Sequence, residues 1–166
     1  MSGRSSRVRV FFKSTSVEGD VEVHMASRLK DEFDRSDRSW LMLANAARGE
    51  QQMDDDGETA VNVNRIVCVG AFADAATPLL GRADWGTRFE YDVDLRCDGF
   101  EIAGRAHVSI GVSVGEWVSS REPAFIALTN ATVTPHEQQS RTFPIMFIAR
   151  NAIEVAHWGN ERAGRG

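Results

Sequence analysis

Lysine, cysteine and long apolar runs are all scarce in this chain. Lys13 and Lys30 are the only lysines, Arg supplying the other cations, which reads as a mark of a GC-rich coding genome. The net charge is −5, so the basic face that a nucleic-acid partner demands is not expected. The two cysteines, Cys68 and Cys97, form no Cys-x-x-Cys motif and read as free, buried thiols in a reducing compartment. No apolar stretch approaches the roughly 20 residues of a membrane helix. The basic start, Met1-Ser-Gly-Arg-Ser-Ser-Arg7, leads into no apolar segment of the kind a secretory signal carries. A soluble, cytoplasmic protein with no membrane partner is expected.

Catalytic punctuation is missing too. There is no Gly-x-Ser-x-Gly nucleophile elbow. The glycines of Gly111-Val-Ser-Val-Gly115 precede no Lys-Ser/Thr, so this segment is a turn and not a phosphate-binding loop. What is present is an ordinary globular composition, 42% apolar and 26% charged. A chain of this length can bury a core without disulfide or metal staples.

Self-similarity organises the rest. Val8–Ala46 lies over Val93–Ala131 without a gap, an offset of 85 residues. Gly19 falls on Gly104, Val23 on Val108, Leu43 on Leu128, Asn45 on Asn130 and Ala46 on Ala131. The apolar pattern matches as well: Leu29 meets Val114, Phe33 meets Val118 and Leu41 meets Ile126. After a variable loop the match resumes at an offset of 87, with Val61 on Ile148, Asn64 on Asn151 and Ile66 on Ile153. The indel falls in the loop, where insertions cost least.

Each copy carries the same local signals. A first strand, Val8–Lys13 or Phe89–Arg96, reaches a turn at Ser14–Ser16 or at Cys97–Phe100, where Asp98-Gly99 is a strong hairpin dipeptide. The second strand, Val17–His24 or Ile102–Ile110, alternates apolar and polar as a half-buried strand does. A short helix follows. Ser27 precedes the first, whose Leu29 and Phe33 share a face, and Ser113 with Glu116 resembles a capping box before the second, whose inward face is Val114 and Val118. Trp40–Ala44 and Ala124–Thr129 read as strands ending at the shared Asn-Ala. The last runs, Ala60–Val69 and Pro144–Ala156, each hold an Asn-x-Ile that predicts a tight turn within a short hairpin. The expected fold is α+β and β-dominated: two pseudo-symmetric β-β-α-β-β units, residues 8–69 and 89–157, packed into one compact body. Residues 70–88 form a linker with one helical turn near Ala71–Ala76, and the first six residues and Gly159–Gly166 are expected to fray.

The second copy is the more informative. Gly104 with its alternation, the short helix, Phe125-Ile-Ala-Leu-Thr-Asn-Ala-Thr-Val133 and Phe147-Ile-Ala-Arg-Asn-Ala-Ile153 form a pattern. It resembles a family of small bacterial domains of unknown function. The resemblance implies a compact β-rich fold and carries no activity, cofactor or catalytic residue.

The candidate site residues are Asn45 and Asn130, the repeated polar pair. Each reads as a residue closing a turn by bonding its own backbone, or as one of two symmetry-related ligand or partner contacts. His24, His107, His136 and His157 lack metal-ligand spacing and read as surface residues. Gln51-Gln-Met-Asp-Asp-Asp-Gly-Glu58 fails the calcium-loop template and reads as a solvated hairpin loop. Trp117 reads either as partly exposed, which favours a protein interface, or as buried between the two copies. No metal or cofactor is expected. The expected function is a non-catalytic binding or adaptor module, with another protein as partner through exposed edge strands. The alternative is a small-ligand binder or enzyme using a cleft between the copies, to which Asn45, Asn130, Glu22 and His107 would converge. An Arg stripe of Arg9, Arg96, Arg105 and Arg150 would instead mark a barrel-type nucleic-acid binder.

Overall fold

The structure is a computed structural model, and it describes residues 4–24, 28–35, 37–48, 51–52, 57–72, 88–136 and 139–161. Eleven strands, β1 (Arg4–Phe12), β2 (Ser16–Val23), β3 (Trp40–Arg48), β4 (Gln51–Gln52), β5 (Thr59–Asn62), β6 (Ile66–Ala71), β7 (Arg88–Cys97), β8 (Phe100–Ser109), β9 (Phe125–Pro135), β10 (Arg141–Ala149) and β11 (Ile153–Glu161), form one open antiparallel sheet. Its order is β11-β7-β8-β9-β10-β6-β1-β2-β3-β4, with β5 beside β3. Among the described residues, two short helices, α1 (Leu29–Asp34) and α2 (Val114–Ser119), pack on it. The fold is β-dominated, as the alternating strands predicted.

Local chemistry explains most elements. β2 buries Val17, Gly19, Val21 and Val23 and turns the residues between them outward, the alternation expected of a half-covered strand. Asp98 and Gly99 both adopt positive φ, 44° and 88°, and close the β7–β8 hairpin. Ser113 accepts from Glu116 N at 3.1 Å while Glu116 accepts from Ser113 N at 3.0 Å, the expected capping box. Ser27 lies outside the described residues. The N-cap of α1 is Arg28, whose backbone N–H donates to Asp31.

Some expectations are corrected. The last runs are not hairpins. A 3-10 turn at Val63–Arg65 sends the chain from β5, which pairs with β3, to β6, which pairs with β1. The turn at Arg150–Ala152 likewise sends it from β10, beside β9, to β11, beside β7. Asn62 closes the first turn by accepting from Asn64 N, so the Asn signal marked a corner and not a reversal. Arg4–Ser6 and Gly159–Glu161, expected to fray, are strand residues paired with β2 and β7. Ala71 ends β6, and the rest of the helical turn expected near 71–76 lies, from 73 on, outside the described residues. Most of the linker, 73–87, and the acidic positions 53–56 lie outside the described residues.

β6 and β10 sit mid-sheet. All of Ile66–Ala71 and all of Ile145–Ala149 are buried. Neighbouring residues of a strand face opposite ways, so both faces are covered there. On one side the cover is α1: the Phe33 ring lies 5.9 Å from those of Phe125 and Phe147. Asp34 accepts from Phe125 N at 3.0 Å, which fixes the helix to β9. The core continues through Phe11, whose ring meets Phe100 and Phe143 edge to face.

Candidate functional site

Where α1 meets the second half of the chain, a concavity of about 700 Å³ opens between α1, α2 and the ends of β8 and β9. That volume is within the usual range of small-molecule sites. Arg28 and Lys30 of α1 form one rim, and Glu116, Trp117 and Ser120 stand on the other side. His107, Phe125 and Ala127 line the inner wall. Lys30 is paired with Asp34 at 2.5 Å, and Arg28 with Asp31 at 3.6 Å.

His107 is a correction to the sequence expectation of a surface histidine: it is buried, at 7% exposure. Its position on the polar side of β8 suggested solvent, but it is buried beside Glu90 and Thr129 at the wall of the cleft. Its Nε2 is 2.7 Å from Thr129 Oγ1, and Glu90 Oε1 lies 3.7 Å from its Nδ1. Glu90 and His107 are directly opposed in the β7–β8 register. β7, β8 and β9 thus each contribute one buried polar side chain: Glu90, His107 and Thr129.

Arg150 holds the far wall. Its guanidinium donates to the carbonyls of Pro123, Trp117 and Val118, and its backbone N–H to Ala124 O at 2.9 Å. Burial lowers its pKa from the ordinary arginine value, against an opposing contribution from Asp34.

The Asn pair lies elsewhere. Asn45 and Asn130 do not end strands; each sits inside one, β3 or β9, with φ of 51° and 48°. The pairing register of β2 with β3 breaks between Glu18 and Asp20, and that of β8 with β9 between Ala103 and Arg105. Asn tolerates this left-handed backbone better than most residues, which is a sufficient reason for its presence at a bulge. Asn45 Nδ2 also donates to Asp20 at 2.9 Å, within a surface network in which Arg7 reaches Glu18, Asp20 and the Asn45 carbonyl. Four strands, β10, β6, β1 and β2, separate β9 from β3 in the sheet. Of the four residues proposed to converge, only His107 lines the cleft.

The arginine candidates are engaged. Arg9 pairs with Glu18, Arg96 with Glu101, and Arg150 is turned onto carbonyls, while Arg105 stands opposite Asp92 in the strand register. His24 is exposed and its Nδ1 lies 3.1 Å from buried Glu32, which Arg38 also contacts at 2.8 Å. Burial raises the Glu32 pKa, but the hydrogen bonds from the His24 side chain and backbone and from Arg38 outweigh it and hold the carboxyl below the usual range. Cys68 and Cys97 are free and buried. Burial, with Asp98 and Glu154 nearby, pushes the Cys97 thiol up to about 12, and burial also raises that of Cys68. Both thiols are therefore protonated and poorly nucleophilic at neutral pH.

Among the described residues, no helix is long and apolar enough to cross a membrane, and no group of three or more His, Cys, Asp or Glu side chains is placed to hold a metal ion. A scan against protein-family models, a search of curated proteins and a search of solved structures each found no match.

Proposed function

We propose that this chain is a duplicated β-unit acting as a binding module, and that its ligand is a small organic molecule held in the cleft between the two units. Several paired irregularities support the duplication. Each half runs in the same order across the sheet: β6-β1-β2-β3 with β4 and β5 beyond, and β11-β7-β8-β9-β10. The register break beside Asn45 has its counterpart beside Asn130. A second break, at Phe11/Phe12 opposite β6, has its counterpart at Ile153/Val155 opposite β7. The bond from Val63 N to Ser39 O repeats as Arg150 N to Ala124 O. The coincidence of these irregularities at offsets of 85 and 87 supports common descent of the two halves.

The observation that carries the ligand reading is the cleft itself. It joins α1 of one half to α2, β8 and β9 of the other, and it presents an apolar wall of Val112, Trp117 and Phe125 beside His107 and Ser109. A site of that make-up suits a ligand with an apolar body and one hydrogen-bonding end. Fragment screening by thermal shift and protein NMR tests it, comparing the native chain with Trp117→Ala and, as a remote control, Trp40→Ala. The expected result is a set of fragments that perturb Ser109, Trp117 and Ala127 resonances and bind about tenfold more weakly to Trp117→Ala, a typical loss for one aromatic contact. Fragments that bind both variants alike, or none that perturb this wall, overturn the reading.

A further inference from the structure

Among the described residues, the sheet ends at each side on a strand with one partner strand: β5 pairs only with β3, and β11 only with β7. On the duplication proposed above, which this inference rests on, β5 is the counterpart of β10 and β11 the counterpart of β6. Those two counterparts are the strands that join the halves inside the chain: Ile145 opposes Ala71, Met146 opposes Gly70, Phe147 opposes Val69 and Ile148 opposes Cys68. The chain therefore carries one internal copy of a seam and, at its two ends, the separate halves of a second.

We propose that copies of this chain associate head to tail, the β5 edge of one pairing with the β11 edge of the next in the β10–β6 register. The offset of 87 applied to both strands places Val61 opposite Val155, Ala60 opposite Ala156 and Thr59 opposite His157. No like charges meet in those pairs. Of the features that blunt natural edge strands, Thr59–Asn62 has short length but no Lys, Pro or charge. Large apolar side chains are exposed at both ends: Trp40 (56%) and Met42 (50%) on β3 beside β5, and Val155 (58%) and Trp158 (38%) on β11. A contact between unlike edges is heterologous, so it builds rings or filaments and not a two-fold dimer.

The test is sedimentation of the full chain over a concentration series, with Ala60→Lys blocking one edge and Val155→Lys the other. Both positions are exposed, and circular dichroism checks that each variant folds. The native chain is expected to reach at least twice the single-chain mass, each variant alone to remain a monomer, and an equimolar mixture of the two to stop at two chains, because each retains one competent edge. Amide exchange in β5 and β11 should slow as native-chain concentration rises. A native chain that stays monomeric at every concentration overturns the association, as does a single variant that still dimerises or a mixture that does not. None of these outcomes bears on the duplication, which fails separately if residues 4–71 and 88–161 do not superpose in an experimental structure.

Discussion

At Asn45 and Asn130 the backbone φ is positive within a strand, and the side chain that suits it best is Asn or Gly. Replacement by Ala leaves the strain uncompensated, about 1 kcal/mol per site, whereas Gly removes it. Urea unfolding should rank Asn130→Gly at or above Asn130→Ala in stability, with Asn45→Ala losing more than Asn130→Ala because the Asn45 amide also bonds Asp20. Opposite each break sits a glycine with no room to grow: a Cβ on Gly19 would lie 2.9 Å from Leu43 Cβ, and one on Gly104 3.1 Å from Leu128 Cβ. Glu32 supplies the pH dependence. Its folded pKa lies below the ordinary value, so the stability it contributes is fully present above the unfolded carboxylate pKa and is lost as pH falls through the folded one. Glu32→Gln should cost about 2 kcal/mol near neutral pH, the scale of a broken charged hydrogen-bond pair. The cost should shrink as acid protonates the native carboxyl, measured by denaturation at stepped pH.

Helix α1 is too short to hold itself together, and its stability comes from what it covers. Phe33, 1% exposed, inserts between Phe125 and Phe147, so one side chain of the first half closes a face of the second. Phe33→Ala should destabilise the chain by about 3–5 kcal/mol, the range for aromatic truncation in a core. The same change should alter the cleft, because Arg28 and Lys30 ride on this helix. Thermal melts of the variant, with Trp117 fluorescence reporting on the cleft wall, check both effects. Loss of stability without a change at Trp117 would separate the helix from the site.

Across the whole molecule, β6 and β10 are buried on both faces, and neither half can lose the other without exposing them. Two separately folded units would unfold in two steps. A continuous sheet with a shared core should unfold in one, with calorimetric and van't Hoff enthalpies equal, and coincident circular-dichroism and fluorescence transitions. Calorimetry at low protein concentration checks this without interference from association between copies.

The strand alternation, the Asp98-Gly99 hairpin and the Ser113–Glu116 cap were legible because each depends on residues close together in the chain. The gapless offset of 85 was legible for the same reason, since it needs only sequence compared with itself. The Asn pair was visible, but its place was not: a positive φ inside a strand depends on the register of a partner strand, and Asn45 and Asn130 looked like strand ends. His107 looked exposed because period-two reasoning assigns it to the polar face, and no local signal tells that Glu90 and Thr129 of neighbouring strands bury it there. The Asn-x-Ile corners were read as reversals because a turn signal gives the bend and not the destination. Sequence by itself therefore determined a β-dominated chain, the Asp98-Gly99 hairpin and the Ser113–Glu116 cap. Only the tertiary structure decided that β10 pairs with β6, that α1 closes over β9 and that a cleft opens beside His107, because pairing between residues far apart in sequence is settled by which apolar faces can be buried together.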